Sequence, residues 1–348
     1  MIRKSNYELL RIIAMLMIVL LHMNYFSLGQ PSQEDILSAP CTSFWRILAE
    51  QLCIIGANVF IMISGWFGIK PTIKSICSLL FQVLFWALTI VFVGQSLLFD
   101  IPIKLTAKTF WFGSTYWFIV SYIGLFILSP VLNSFIETAS VKQYSAVLIS
   151  FFTIEFVYGW IVDSPSFNEG YSIISFIGLY LLARFIRLHA TRLKSVRPAT
   201  CLLLYLSASI VPAVLSYISI RNGWREFNPI FYTSPFVLTA SVFFFLIFTK
   251  YDYYSSTINW MGASTLAVYL AHQHPIIIPD FRRLMVYLSD SYSTISYTLI
   301  ALILAIALLL VCVILDQIRI SCWKFLCSKW LDDLFYKIDR RFSLLFSD

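Results

Sequence analysis

Arg11 and His22 bracket ten uninterrupted apolar residues in the stretch YELLRIIAMLMIVLLHMNYF, residues 7–26. On a helix, eleven steps of about 100° return His22 to within roughly 20° of the Arg11 face, about 16.5 Å further along the axis. An arginine can clamp a phosphate in a bidentate way and keeps its charge when partly buried. An imidazole can take the proton of a hydroxyl, or can itself accept a transferred group and pass it on. The spacing leaves those two histidine roles open. Glu8, one turn before Arg11, is placed to pair with it. Taken alone, Arg11 reads equally as a side chain snorkelling to a membrane surface, whereas a hydrogen bond between helices is the lesser reading of His22.

Further polar groups sit inside or beside apolar runs: Glu50, Glu155 and His272. Each is divided evenly between cavity chemistry and a satisfied bond between helices. His272 and His274 are two residues apart, so on a helix they do not face each other, and no other Cys, His or Asp cluster completes a metal site there. Trp111, Tyr116 and Trp117 could stack on a sugar ring, although an interfacial aromatic belt is the simpler reading. The chain has neither a phosphate-binding Gly-rich loop nor a Gly-x-Ser-x-Gly elbow, which makes Ser64 a poor hydrolase nucleophile.

The elements that must position these groups follow from composition. Of 348 residues, 59% are hydrophobic, 17% aromatic and only 12% charged. So few charges cannot cover the surface of a water-soluble globule, and disorder, a coiled coil and a disulfide-stapled domain are excluded with it. The expectation is an all-α integral membrane bundle of about ten transmembrane helices, near 8–28, 45–66, 76–98, 115–135, 143–162, 171–188, 199–220, 229–249, 258–278 and 295–317. The runs lack the ten-residue alternation of an outer-membrane barrel. Connections 29–44, 99–114 and 279–294 have room for short interfacial helices.

The net charge of +7 is a topology signal rather than a sign of nucleic acid. With the N-terminus inside, 18 of the 25 Lys and Arg residues fall on the cytoplasmic side. Arg46, Lys104, Lys108, Arg221, Arg225, Arg282 and Arg283 remain outside. The positive-inside rule therefore puts both termini in the cytoplasm. Residues 1–28 lack a small-residue cleavage site, so they read as a first membrane helix instead of a signal peptide. The tail 318–348 is expected to hold an amphipathic helix on the cytoplasmic surface, behind a membrane domain of residues 1–317. The seven cysteines show no C-x-x-C spacing, and a bridge between Cys41 and Cys53 stays open.

The arginine, ten residues, then histidine of the first helix resembles the signature of the acyltransferase-3 family of multi-span O-acyltransferases. GANVFIMISGWFGIK (56–70) resembles that family's second-helix block, and YWFIVSYIGLFILSPVLN (116–133) its aromatic-opened helix ending in Pro-x-Leu-Asn. GASTLAVYLAHQHP (262–275) resembles its late block, with Tyr269, Leu270 and His272 in place, and FIGLYLLARFIR (176–187) is a weaker echo. Many members carry an arginine-rich stretch after the second helix, where this chain has only Lys70 and Lys74. The appended hydrolase-like domain of many members is missing, which implies a stand-alone membrane acyltransferase.

The resemblance implies transfer of an acyl group, usually acetyl, from cytoplasmic acetyl-CoA or another acyl-CoA to a hydroxyl. The implied acceptor is a carbohydrate of a surface or secreted polysaccharide or its lipid-linked precursor. No tightly bound cofactor or metal is expected. The expected partners are the lipid bilayer and polysaccharide-synthesis enzymes, and the expected place is a bacterial cytoplasmic membrane. His22 would be catalytic. Arg11, Lys70, Lys74, Arg184 and Arg187 would supply cations for the donor's phosphates. Glu50, Trp117, Glu155, Tyr269 and His272 are the acceptor or cavity candidates. The His-x-x-x-x-Asp pattern of soluble acyltransferases is absent, the closest approach being His274 and Asp280, one position too far apart. A transporter or flippase of a glycan suits the composition equally, but paired broken helices in matching halves are not evident. An unrelated membrane acyltransferase family using an intramembrane histidine fits the placement less well.

Overall fold

The computed structural model describes residues 4–97, 116–224, 230–327 and 331–345. Arg3, Lys104, Lys108, Trp111, Arg225 and Lys329, and the whole of the 99–114 connection, lie outside them. The described residues are helical, without a strand. In chain order the helices are α1 (Ser5–Met23), α2 (Tyr25–Leu28), α3 (Gln33–Ser38), α4 (Pro40–Cys53), α5 (Gly56–Phe67), α6 (Ile73–Leu97), α7 (Trp117–Thr138) and α8 (Val141–Ile154). They continue with α9 (Ile173–Leu188), α10 (Pro198–Arg221), α11 (Pro235–Phe248), α12 (Ser256–Gly262), α13 (Thr265–His272), α14 (Ile278–Ser291), α15 (Thr294–Leu326) and α16 (Asp332–Leu345).

Seven helical stretches among the described residues are long and apolar enough to cross a bilayer: Ser5–Leu28, Pro40–Phe67, Ile73–Val93, Trp117–Thr138, Val141–Ile161, Pro198–Arg221 and Thr294–Leu326. The outside of these helices is as apolar as the core. On α15, Ile295, Ile303 and Ile314 are 76%, 65% and 61% exposed along one stripe. Water would penalise so continuous an apolar face, whereas hydrocarbon does not. The chain is a multi-pass membrane protein.

Three expected spans are not among these seven stretches. Residues 171–188 form the 16-residue α9, and 229–249 the 14-residue α11, which starts abruptly at Pro235 behind a Ser234 cap. Residues 258–278 are broken into α12 and α13, with the gap beside Ser264. At that gap Gly262 lies so close to Glu8 of α1 that a side chain there would collide with it. Two other departures concern boundaries. The last long helix runs on to Leu326, so residues 318–326 extend it, and the separate tail helix begins only at Asp332. Cys41 and Cys53 sit twelve positions apart on the single rod α4, both as free thiols. A rise of about 1.5 Å per residue separates them by about 18 Å, well beyond disulfide reach.

Two of the connections expected to have room for short helices hold α3 and α14, the latter carrying the exposed Asp280–Arg283 pair. α3 opens with a capping box in which Ser32 Oγ accepts from Asp35 N while the Asp35 carboxylate accepts from Ser32 N. One end of the bundle gathers Lys4 with Asp252, Ser5 with Ser255, and the Asn6 amide on the Phe248 carbonyl. There the tail helix α16 docks on the start of α6, with Asp332 on Lys74 and Asp339 accepting from Ile73 N. The opposite end is tied by Asn24 to Arg46, Gln33 to Arg221, and Thr42 to Thr294.

Candidate functional site

α1 is interrupted at Asn24, whose side-chain amide donates to the Arg46 carbonyl oxygen at 2.8 Å and to Glu50 Oε2 at 2.9 Å. The interruption turns Tyr25 and Phe26 toward the same side as His22. All three line a cavity of about 570 Å³ that also takes Glu50, Trp117, Tyr269, Gln273 and Arg282 into its wall. Its lining begins at Met15, one turn beyond Arg11, and ends at Ile278 and Arg282 of α14.

One wall is aromatic. Trp117 meets Tyr171 edge-on at 4.6 Å between ring centroids, and Tyr171 meets Tyr232 at 5.0 Å. The Tyr116 hydroxyl donates to the Leu270 carbonyl oxygen at 2.8 Å, which fixes α13 against the start of α7. Tyr269 then packs between Tyr116 and Phe118. Such a surface suits the apolar faces of a sugar ring as well as a thioester arm.

The other wall carries the two histidines. His22 Nδ1 lies 2.8 Å from His272 Nε2, and His272 Nδ1 lies 2.6 Å from the Val268 carbonyl oxygen, one turn back in α13. A carbonyl oxygen only accepts, so the neutral His272 carries its proton on Nδ1 and offers a lone pair at Nε2. His22 must therefore donate from Nδ1, which leaves its Nε2 as a bare lone pair on the opposite edge of the ring. His272 is 1% exposed, while the half-buried His22 borders the cavity. This is the base–orienter geometry of a hydrolytic triad, with a second imidazole and a peptide carbonyl in the orienting places.

Beyond Met15 toward the Lys4 end lie the basic residues. Arg11 pairs with Glu8 at 2.7 Å and keeps its side chain 32% exposed. One turn earlier, Tyr7 packs on Trp66 and Phe67 at the end of α5. Arg184 and Arg187 of α9 both donate to the Trp66 carbonyl oxygen, one of the four carbonyls that a helix end leaves without a partner. Gly68 turns the chain there with φ +78°, a conformation that disfavours other residues, and lies against the Arg184 guanidinium. Arg184 and Arg187 thus meet at the last turn of α5, beside Tyr7 in the first turn of α1, and Arg11 follows one turn further along α1. Lys70 is exposed just beyond, and Lys74 is engaged by Asp332.

Of the acceptor candidates, Glu50, Trp117 and Tyr269 line the cavity and His272 backs it. Glu155 does not border it: it sits in a π-helical turn at 155–161, with Ser175 as its partner. Sequence reading missed Tyr25, Gln273 and Arg282. Tyr25 and Gln273 flank the two histidines in the chain, and that adjacency was the available signal. Among the described residues no three His, Cys, Asp or Glu side chains are gathered to hold a metal ion.

A family model described as an acyltransferase domain matches residues 4–316. No curated protein and no solved structure matches the chain.

Proposed function

The chain belongs to the acyltransferase-3 family, and from that premise we propose that it moves an acetyl group from cytoplasmic acetyl-CoA to a carbohydrate hydroxyl on the far side of a bacterial cytoplasmic membrane. The observation that carries this reading is the His22–His272 contact beside the cavity. It orients a neutral imidazole whose free nitrogen suits an incoming hydroxyl. The arginine group around Trp66 supports the donor side, because phosphates need cations and guanidinium pairs with them in a bidentate way.

In this reading about ten crossings place both termini, the arginines and the tail helix in the cytoplasm. The acceptor is a surface or secreted polysaccharide or its lipid-linked precursor, handed over by polysaccharide-synthesis enzymes. The acetyl-thioester reaches up from the arginine group past Met15, and the hydroxyl enters between α2 and α14. His22 takes its proton directly as it attacks the thioester.

The test is transfer of label from [14C]acetyl-CoA to an oligosaccharide by protein reconstituted in lipid nanodiscs. Wild type should transfer label, and His22→Gln should lose about 10²–10⁴-fold in rate, the usual worth of a general base. A well-inserted His22→Gln protein with wild-type turnover would remove the base from this mechanism.

A further inference from the structure

Two side-chain donors in the cavity wall have no partner in the protein. The Gln273 amide nitrogen belongs to a residue only 4% exposed, and the hydroxyl of the half-buried Tyr25 is itself enclosed; neither atom meets an acceptor. Leaving a buried donor unpaired costs about 1–3 kcal/mol, so such atoms are uncommon without a reason. Both residues line the cavity that His22 borders. They also flank the histidine pair: Tyr25 follows His22 by three residues across the Asn24 break, and Gln273 directly follows His272 at the end of α13.

We propose that Gln273 Nε2–H and the Tyr25 hydroxyl form the oxyanion-binding donors of the acyl-transfer step, a role that rests on the acyltransferase reading above. The acceptor oxygen attacks the thioester carbonyl carbon as its proton passes to His22 Nε2. The carbonyl π pair moves onto oxygen, and the two donors hold that negative charge. When the intermediate collapses, the carbonyl re-forms and the C–S bond breaks with its electron pair on sulfur. The departing thiolate then takes the proton from the His22 imidazolium. Throughout, His22 Nδ1–H stays on His272, so the new positive charge is spread toward a second neutral imidazole. Donors that are idle in the resting site and engaged at the oxyanion favour the transition state over the ground state.

The experiment measures CoA release by nanodisc-reconstituted protein with acetyl-CoA, using water and a glucose oligosaccharide as acceptors. Tyr25→Phe deletes one oxygen atom, Gln273→Glu replaces the donor amide by a carboxylate, and Gln273→Met removes its polarity. Each should lower kcat about 10²–10³-fold with the KM for acetyl-CoA unchanged, as expected for loss of one oxyanion donor. A rise in KM at wild-type kcat would make these residues ground-state recognition groups and overturn the proposal, as would unchanged kinetics. His22→Gln is run in parallel. If it is inactive while the donor variants turn over normally, only the oxyanion assignment fails. If wild type itself releases no CoA, the acyltransferase reading fails and takes the assignment with it. Should Gln273→Met not insert, Tyr25→Phe and Gln273→Glu still decide the question.

Discussion

Arg187 reaches from α9 to the carbonyl oxygen of Trp66 and lies 5.8 Å from the centre of that residue's ring. The contact both caps α5 and keeps a guanidinium beside the start of α1. Donor binding and helix capping are therefore mixed in Arg187, and Arg11 is the cleaner probe.

Arg11→Ala should weaken acetyl-CoA binding about tenfold or more, in line with one lost charge-assisted hydrogen bond, and Arg11→Lys should weaken it less. Calorimetric titration of the nanodisc protein with acetyl-CoA measures both. Wild-type affinity in the two variants would return Arg11 to a snorkelling role.

His272 should act as a positioning residue through His22. His272→Leu removes the acceptor for His22 Nδ1–H and should lower kcat about 10²-fold with little change in the KM for acetyl-CoA. His272→Gln can present its Oε1 to the same proton and should recover part of that loss. Equal damage from both substitutions, with a matching fall in thermal stability, would reduce the contact to packing.

Gly65 sets the approach of α5 to α9, because a Cβ there would collide with the Tyr180 carbonyl oxygen. Gly65→Ala should destabilise the bundle by about 1–3 kcal/mol, the usual cost of overpacking, by pushing the arginines of α9 away from Trp66. A melting temperature within a degree of wild type would contradict this.

The carboxyl of Asp35 is held below the usual carboxylate range by the backbone N–H and hydroxyl of Ser32. A depressed folded value means that the stabilisation is complete above the ordinary carboxylate pKa of about 4 and is lost as pH falls through the folded value. Amide exchange across residues 32–38 should therefore quicken relative to neighbouring helices when pH is lowered from 6 to 3. In Asp35→Asn that difference should vanish.

The sequence made the long helices legible, because a run such as Leu299–Leu315 of α15 can lie only in hydrocarbon or a core. The shared face of Arg11 and His22 was legible for the same reason, since helical period alone determines it. The partnership of His22 with His272 was not, because it joins residues 250 positions apart and depends on where α13 starts after the Ser264 break. A bridge between Cys41 and Cys53 stayed open in the sequence because a connecting loop was expected where α4 already runs. Glu155 was placed on equal terms with Glu50, and only packing separates a carboxylate tied to Ser175 from one at the cavity wall.

The ring of His272 is anchored one turn back along its own backbone, at Val268, and His22 is timed from Arg11 by ten residues. Both side chains are thus set by angular phase. A single residue inserted between Ser264 and His272, or between Arg11 and His22, would rotate the downstream group by about 100° and part the pair, without changing composition or hydropathy. The same insertion in the connection between α14 and α15 would leave the phase of both untouched. Insertions and deletions in related chains should accordingly be absent from these two intervals and frequent in the loops, a constraint on length rather than on residue identity.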